Sequence, residues 1–135
     1  MKIILNKCYG GFNVSQEGYE LYAKKKGLKL YFYRTHYSTP PLYTKIDKMD
    51  IFSHCFVKDF GNEATISDND FEKYNLYLDS SYRTDPILIE VVEELGDKAS
   101  GRGGRLRVVE IPDGLDYVID DYDGIETLHE KVREW

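Results

Sequence analysis

The chain has 135 residues, of which 41% are hydrophobic and 31% charged, with only 4 Pro and 11 Gly. This composition excludes an intrinsically disordered protein, and the length favours a single domain over residues 1–135. A net charge of −6 also excludes a protein that coats duplex DNA, because such proteins neutralise many phosphates with Lys and Arg.

The first third of the chain predicts a strand, a helix and a second strand. The run KIILN at residues 2–6 is typical of a central strand, and a glycine turn follows it at residues 8–12. The next segment predicts a helix that Ser15 caps and Gly27 ends, with an apolar face formed by Tyr19, Tyr22 and Ala23. Residues 28–33 alternate strictly and predict a half-buried strand, with Leu28, Leu30 and Phe32 on one face and Lys29, Tyr31 and Tyr33 on the other.

The middle third is less regular. Residues 35–43 contain Pro40-Pro41, which a helix or a central strand cannot accommodate, so they predict an exposed loop. Residues 51–60 predict another strand. Ser67 is then placed to cap a helix, with Ile66 and Phe71 as its hydrophobic staple and one side formed by Phe71, Tyr74 and Leu78.

The last third predicts the strongest helix and three strands. The helix begins at Asp85-Pro86 and ends at Gly96, with an apolar stripe of Ile87, Leu88, Val91, Val92 and Leu95. A strand follows at residues 106–111, and Asp123-Gly124 is typical of a hairpin between residues 117–122 and 125–130, although the last segment is also compatible with a terminal helix. This order predicts an α+β fold with a single small mixed or antiparallel sheet and about three helices packed on one face.

Few residues suggest catalysis or metal binding. Cys8 and Cys55 are the only cysteines and predict buried thiols, and His54 beside Cys55 would point to the opposite face of a strand. Glu126 and His129 would share one helix face, but a di-metal site needs a second such pair, so we expect both to be exposed to solvent. We therefore expect no metal, no cofactor and no enzymatic activity.

Two glycine-rich segments are candidates for phosphate binding. The first contains Tyr9, Gly10, Gly11 and Phe12 between a strand and a helix, where backbone N–H groups and the positive end of a helix bind anions. Alternatively it is a tight turn with Tyr9 and Phe12 in the core. The second, residues 101–105, joins a helix to a strand.

Arginines and tyrosines complete the candidate ligand set. Arg102, Arg105 and Arg107 form a local basic cluster whose guanidinium groups suit phosphates; alternatively they pair with acids such as Glu110 and Asp113. Arg83 precedes the helix that Asp85 caps, where it binds phosphate or fixes the turn through an ion pair. Tyrosines suit either base stacking or an interface between copies, and four surround the proline loop: Tyr31, Tyr33, Tyr37 and Tyr43.

Several segments carry a family resemblance: residues 6–12, 83–86 with 91–96, 109–113, 122–124 and 129–135. Together they resemble a widespread family of small tailed-phage proteins, and the resemblance does not extend to residues 28–81. That family is similar to the phage anti-defence sponges, above all the Thoeris anti-defence family. The resemblance implies a homo-oligomer in the host cell cytoplasm that sequesters a cyclic nucleotide or cyclic ADP-ribose immune signal without cleaving it.

Two other functions stay open. Residues 1–58 hold 10 Lys/Arg against 4 Asp/Glu, and residues 59–135 hold 8 against 20, so the protein could instead inhibit a host enzyme through an acidic C-terminal surface. The third possibility is a nucleotide-cleaving enzyme that uses His36 or His54 with nearby carboxylates. No apolar run approaches the roughly 18 residues that span a bilayer, and nothing before residue 8 resembles a signal peptide, so we expect a cytoplasmic protein without a membrane partner.

Overall fold

The computed structural model describes residues 1–50 and 52–131. Its strands are β1 (Lys2–Asn6), β2 (Tyr31–His36), β3 (Leu42–Ile46), β4 (Ser53–Phe56), β5 (Glu63–Ala64), β6 (Leu106–Glu110), β7 (Tyr117–Tyr122) and β8 (Ile125–Glu130). Its α-helices are α1 (Gln16–Lys26), α2 (Asp68–Tyr74) and α3 (Pro86–Leu95), and short 3-10 turns cover Ser80–Tyr82 and Gly96–Ala99. The chain divides into two compact units, unit 1 (Met1–Tyr22 and Leu78–Trp135) and unit 2 (Ala23–Tyr77). The expectation of a single domain stays a prediction.

The α+β class and the three helices are confirmed, but the prediction of one sheet is wrong. In the described residues the strands form three antiparallel sheets: β1 with β6, β7 with β8, and four strands in the order β4-β2-β3-β5. The physical reason lies at β1, which the sequence predicted as central. The outward-facing N–H groups of Ile4 and Asn6 donate to the Arg83 carbonyl (2.9 Å) and to Oε1 of Glu126 (2.8 Å) instead of to another strand.

The core of unit 1 packs β1 and β6 with α3. Ile3, Ile4 and Leu106 are fully buried, and α3 begins as its sequence predicts, since the Asp85 carboxylate accepts hydrogen bonds from two backbone N–H groups of the first turn. Gly96, with φ 58°, ends the helix. Its apolar stripe is slightly rotated from the prediction, because Ile87 and Leu95 are only half-buried and the buried side chains are Leu88, Ile89, Val91 and Val92.

Helix α1 also follows its local signals. The Ser15 hydroxyl accepts a hydrogen bond from the Gly18 N–H at 3.1 Å, as an N-cap does. The helix ends before Gly27, whose φ of 69° lies in the left-handed region that glycine tolerates. The predicted apolar face is confirmed as buried: Tyr19, Tyr22 and Ala23.

The C-terminal hairpin is confirmed with both predicted strands, and the helical alternative is wrong. Asp123 and Gly124 adopt φ values of 52° and 90°, which are the positive values that a tight two-residue hairpin turn requires. In a strand, residues three apart point to opposite faces, so Glu126 and His129 do not share a face. The expectation that both are exposed is also wrong for Glu126, which is buried.

Glu126 is buried because it forms an ion pair with Arg83. The guanidinium Nη2 donates to Oε2 of Glu126 at 2.7 Å, and the two side chains are 15% and 7% exposed. The other guanidinium nitrogens donate to the carbonyl oxygens of Ser80 and Ile4, and the group also lies 5.5 Å from the centre of the Phe12 ring. Arg83 and Glu126 thus occupy the position that a third strand beside β1 would take.

Unit 2 is built on the four-stranded sheet, and its central strand β2 differs from the prediction. The strand begins at Tyr31 and continues to His36, and Leu28 is 37% exposed. Both Phe32 and Tyr33 are buried, so the strand is not half-buried as its alternation suggested. Tyr33 tolerates full burial because its hydroxyl donates to the Gly61 carbonyl at 2.8 Å and accepts from the Phe60 N–H at 2.9 Å.

The remaining elements of unit 2 are shorter than predicted. The proline segment forms a β2–β3 hairpin whose connection covers only residues 37–41, because both of its ends pair as strands. The strand predicted for residues 51–60 comprises only Ser53–Phe56, and Ile51 lies outside the described residues. Helix α2 is capped by Ser67 as predicted but ends at Tyr74, so Leu78 is not part of it.

An aromatic cluster forms the core of unit 2. Its buried members are Tyr33, Tyr43 and Phe56, and the predicted staple residues Ile66 and Phe71 both pack against it. The His54 ring lies edge-on to Phe71, with 5.2 Å between the ring centres. Burial among these rings lowers the pKa of His54, because the apolar surroundings disfavour the charged imidazolium.

The Arg83 and Glu126 ion pair gives a direct stability prediction. Glu126→Gln keeps the shape and the acceptor for the Asn6 N–H but leaves the guanidinium without its counter-charge, which costs about 3 kcal/mol for a buried pair. We expect urea unfolding to show this loss. The matched control is Asp97→Asn, which removes an ion pair with Arg107 whose side chains are 75% and 38% exposed and should cost about 0.5 kcal/mol. Equal losses in the two variants would contradict the structural role of the buried pair.

Candidate functional site

Three glycine turns of unit 1 meet backbone to backbone. The Gly10 N–H donates to the Gly103 carbonyl at 2.7 Å, so the two glycine-rich segments that the sequence singled out lie in direct contact. A Cβ on Gly10 would overlap the Gly103 backbone, and a Cβ on Gly124 would overlap the Tyr9 carbonyl. The glycines are therefore required for the close approach of three chain segments, whatever they bind.

The Asn6 side chain forms hydrogen bonds to all three turns. This side chain is fully buried, and its amide nitrogen donates to the carbonyls of Cys8 (2.6 Å) and Gly124 (2.5 Å). Its amide oxygen accepts from the Arg105 N–H at 2.9 Å. One side chain at the end of β1 thus makes a hydrogen bond to each of the three turns.

The turns carry exposed aromatic and basic side chains. Tyr9 is 65% and Tyr122 79% exposed, and Arg102 and Arg105 are exposed as well. Within residues 1–50 and 52–131, no carboxylate lies at ion-pair distance from Arg102 or Arg105. We call these four residues the glycine-turn surface. Two guanidinium groups and two phenol rings are free there to meet a ligand.

Other predicted ligand residues have structural partners. Arg83 is held by Glu126, and Asp85 caps α3 and accepts a hydrogen bond from the Tyr22 hydroxyl. Of the two roles considered for Arg83, the structure shows the ion pair that fixes the turn. Arg107 pairs with Asp97 at 2.6 Å, not with Glu110 or Asp113.

Of the two alternatives for the first glycine segment, the structure shows the tight turn, and phosphate binding stays a prediction. Gly11 has the positive φ of 83° that such a turn uses. Tyr9, however, is exposed rather than in the core, and Phe12 is half-buried against the Arg83 guanidinium. The sequence missed Asn6, Glu126 and Tyr122 as site residues. The signals near them were the hairpin turn at Asp123-Gly124 and the resemblance at residues 6–12 and 122–124.

Metal-binding groups are not gathered in the described residues. Among them, no cluster of three or more His, Cys, Asp and Glu side chains has a geometry that could hold a metal ion. Burial raises the pKa of the Cys55 thiol to about 12, as expected for the buried thiol that the sequence predicted, and Cys8 is half-buried. His129 lies beside Asp120, with 3.3 Å between Nδ1 and Oδ2.

Comparison with protein-family models, with curated proteins and with solved structures finds no match. Function must therefore be inferred from the residues and geometry of the chain itself. Over residues 1–50 and 52–131, every helix is too short or too polar to cross a bilayer.

The contact between Gly10 and Gly103 can be tested by adding one methyl group. Gly10→Ala places a Cβ against a backbone carbonyl that cannot move without breaking the turn, and we expect it to lower the free energy of unfolding by about 2 kcal/mol or more. Gly114→Ala is the control, since its Cβ meets open space and only its φ of 75° is unfavourable, at about 1 kcal/mol. If urea unfolding ranked Gly114→Ala as the more damaging change, the three turns would not be in the contact described.

Proposed function

We propose that this protein binds a small cyclic nucleotide or cyclic ADP-ribose signal on the glycine-turn surface and sequesters it without cleaving it. The observation that carries the proposal is the exposure of Arg102 and Arg105, which have no carboxylate at ion-pair distance among the described residues. They lie on turns in backbone contact with those of Tyr9 and Tyr122. Such a ligand has phosphates and flat purine rings. The surface offers arginines for the phosphates and tyrosines for the purine rings.

The chemistry of the surface suits this class of ligand. Guanidinium groups form paired, charge-assisted hydrogen bonds with phosphate oxygens. Phenol rings stack on bases, with a contribution of about 1–3 kcal/mol per base. The backbones that carry these groups are fixed by Asn6 and by the contacts between glycines. A ligand therefore meets loops that are already ordered, which reduces the entropy lost on binding.

Sequestration without cleavage fits the residues of this surface. Arginine has no acceptor and stays protonated, so it cannot act as a general base. His129 lies on β8, and its imidazole is paired with Asp120 on β7. The resemblance to phage anti-defence sponges supports the biological role in the proposal, which is a homo-oligomer acting in the host cytoplasm against a nucleotide-based immune signal.

A second candidate function is inhibition of a host enzyme by an acidic surface. The exposed aspartates of the β7–β8 hairpin favour it: Asp120, Asp121 and Asp123. Because inhibition needs a protein partner and no small ligand, a stoichiometric host protein recovered by pull-down, together with no nucleotide binding, would select it over sequestration.

Calorimetric titration with cyclic dinucleotides, cyclic trinucleotides and cyclic ADP-ribose isomers tests the proposal. We expect one of these ligands to bind, and Arg102→Ala with Arg105→Ala to weaken it at least about tenfold, since each hydrogen bond to a charged group contributes about 1.5–3 kcal/mol. Tyr9→Ala should weaken it about fivefold or more through lost stacking. Tyr77→Ala is the matched control, because Tyr77 is also 65% exposed but belongs to unit 2.

The fate of the ligand separates sequestration from catalysis. After the complex is heated, mass spectrometry of the released small molecule should recover it unchanged. A cleaved product would contradict sequestration, and absence of binding heat with every ligand would remove the proposed function.

A further inference from the structure

Two lysines of unit 2 converge on one tyrosine ring. The Lys58 ammonium lies 4.8 Å from the centre of the Tyr74 ring and 5.3 Å from that of Phe60. The Lys73 ammonium lies 5.2 Å from the Tyr74 ring centre. Because both ammonium groups lie near the centre of the Tyr74 ring, the distance between them cannot exceed the sum of these two distances. We call Lys58, Phe60, Lys73 and Tyr74 the lysine–aromatic face.

The positive charge of this face is not balanced nearby. In the described part of the chain, no carboxylate lies at ion-pair distance from Lys58 or Lys73. The Asp59 carboxylate, which is close in sequence, already accepts hydrogen bonds from the Lys45 ammonium at 2.6 Å and the Gly61 N–H at 2.8 Å. Lys58 and Lys73 are exposed, and a cation over a ring at an exposed site gains only about 0.5–1 kcal/mol. The face therefore carries two positive charges with which no described carboxylate forms an ion pair.

Unit 1 presents the opposite charge on the β7–β8 hairpin. Asp120, Asp121 and Asp123 are exposed around Tyr122, and among the described strands β7 pairs only with β8. We call Asp120–Asp123 the acidic hairpin end. It combines a row of carboxylates with a large exposed aromatic ring, and its strand has an open edge.

We propose that the acidic hairpin end of one copy of this chain docks on the lysine–aromatic face of a second copy. Each surface carries the charge that the other lacks, and each adds an aromatic group to the contact. The two units as a whole also differ in charge. Unit 2 holds nine Lys/Arg against seven Asp/Glu, whereas unit 1 holds nine Lys/Arg against seventeen Asp/Glu.

A symmetric pairing of two acidic hairpin ends is disfavoured by the same residues. Antiparallel pairing along the open edges of two β7 strands would bring aspartates of one copy close to those of the other, and like charges across strands are destabilising. The contact is therefore head-to-tail, and a head-to-tail contact repeats until it closes a ring or extends as a filament. This inference shares Tyr122 with the glycine-turn surface but does not require the ligand proposed there.

Sedimentation velocity of the full chain, without added nucleotide, tests the docking. At low ionic strength we expect the average mass to rise above that of a single chain as the concentration increases. In about 1 M NaCl, where charges farther apart than about 3 Å are screened, the mass should return to that of a single chain. A wild-type protein that is monomeric at every concentration would overturn the proposal. It would do so even if Lys58 and Lys73 were found to bind a small anion such as pyrophosphate.

Charge exchange identifies the two surfaces. Lys58→Glu with Lys73→Glu should abolish association, and so should Asp120→Lys with Asp123→Asn, in which asparagine keeps a residue that tolerates the positive φ at position 123. An equimolar mixture of the two variants should associate again. The lysine variant keeps an intact acidic hairpin end, and the aspartate variant keeps an intact lysine–aromatic face. Both variants should keep the wild-type circular dichroism spectrum.

The control is Lys29→Glu with Lys48→Glu, which changes the net charge of unit 2 equally at exposed positions outside the face. This control should associate like the wild type. If it lost association as well, or if the mixture of exchanged variants stayed monomeric, the specific contact between the two surfaces would be overturned.

Discussion

The ion pair between Arg83 and Glu126 is the interaction on which unit 1 depends. It links three segments that are distant in sequence: the edge of β1, the turn before α3 and the first residues of β8. A strand with an open edge exposes unpaired N–H and C=O groups. Here the backbone carbonyl and guanidinium of Arg83 and the carboxylate of Glu126 satisfy the groups of Ile4 and Asn6. In the described residues β1 therefore has only one partner strand, although its side chains are buried on both faces.

The same arrangement fixes the surface that we propose for ligand binding. Glu126 anchors β8 two residues after Gly124, and the Asn6 side chain reaches the Gly124 carbonyl from the end of β1. The hairpin turn is thereby brought against Tyr9, where only a residue without a Cβ fits. The arginines separate into two groups as a consequence. Arg83 and Arg107 are held by carboxylates, whereas Arg102 and Arg105 project from the turns without such a partner in the described residues.

The sequence predicted what local interactions determine. Ser15, Ser67 and Asp85 cap helices where their positions indicated, and Asp123-Gly124 forms the hairpin, because each of these signals acts within a few residues. The exposure of Glu126 was wrong because its burial depends on Arg83, 43 residues away. The single sheet was wrong because the edge of β1 also depends on Arg83, which is 79 residues from Ile4. No periodicity encodes that distance.

The candidate site was only partly predictable for the same reason. Glycine-rich segments and arginines were visible in the sequence, but which arginines have carboxylate partners is decided by the tertiary fold. Alternation likewise could not reveal that Tyr33 is buried, since its burial depends on hydrogen bonds that its hydroxyl donates to the Gly61 carbonyl and accepts from the Phe60 N–H. The part of the family resemblance that falls on residues 132–135 lies outside the described residues.

The most direct measurement is the amide NMR footprint of the ligand that binds most tightly. We expect the largest shifts on the three touching turns, at Gly10, at residues 102–105 and at Gly124, with the resonances of Arg83 and of the aromatic cluster in unit 2 little changed. Shifts centred on unit 2, or on any part of unit 1 outside these three turns, would contradict the assignment of binding to the glycine-turn surface.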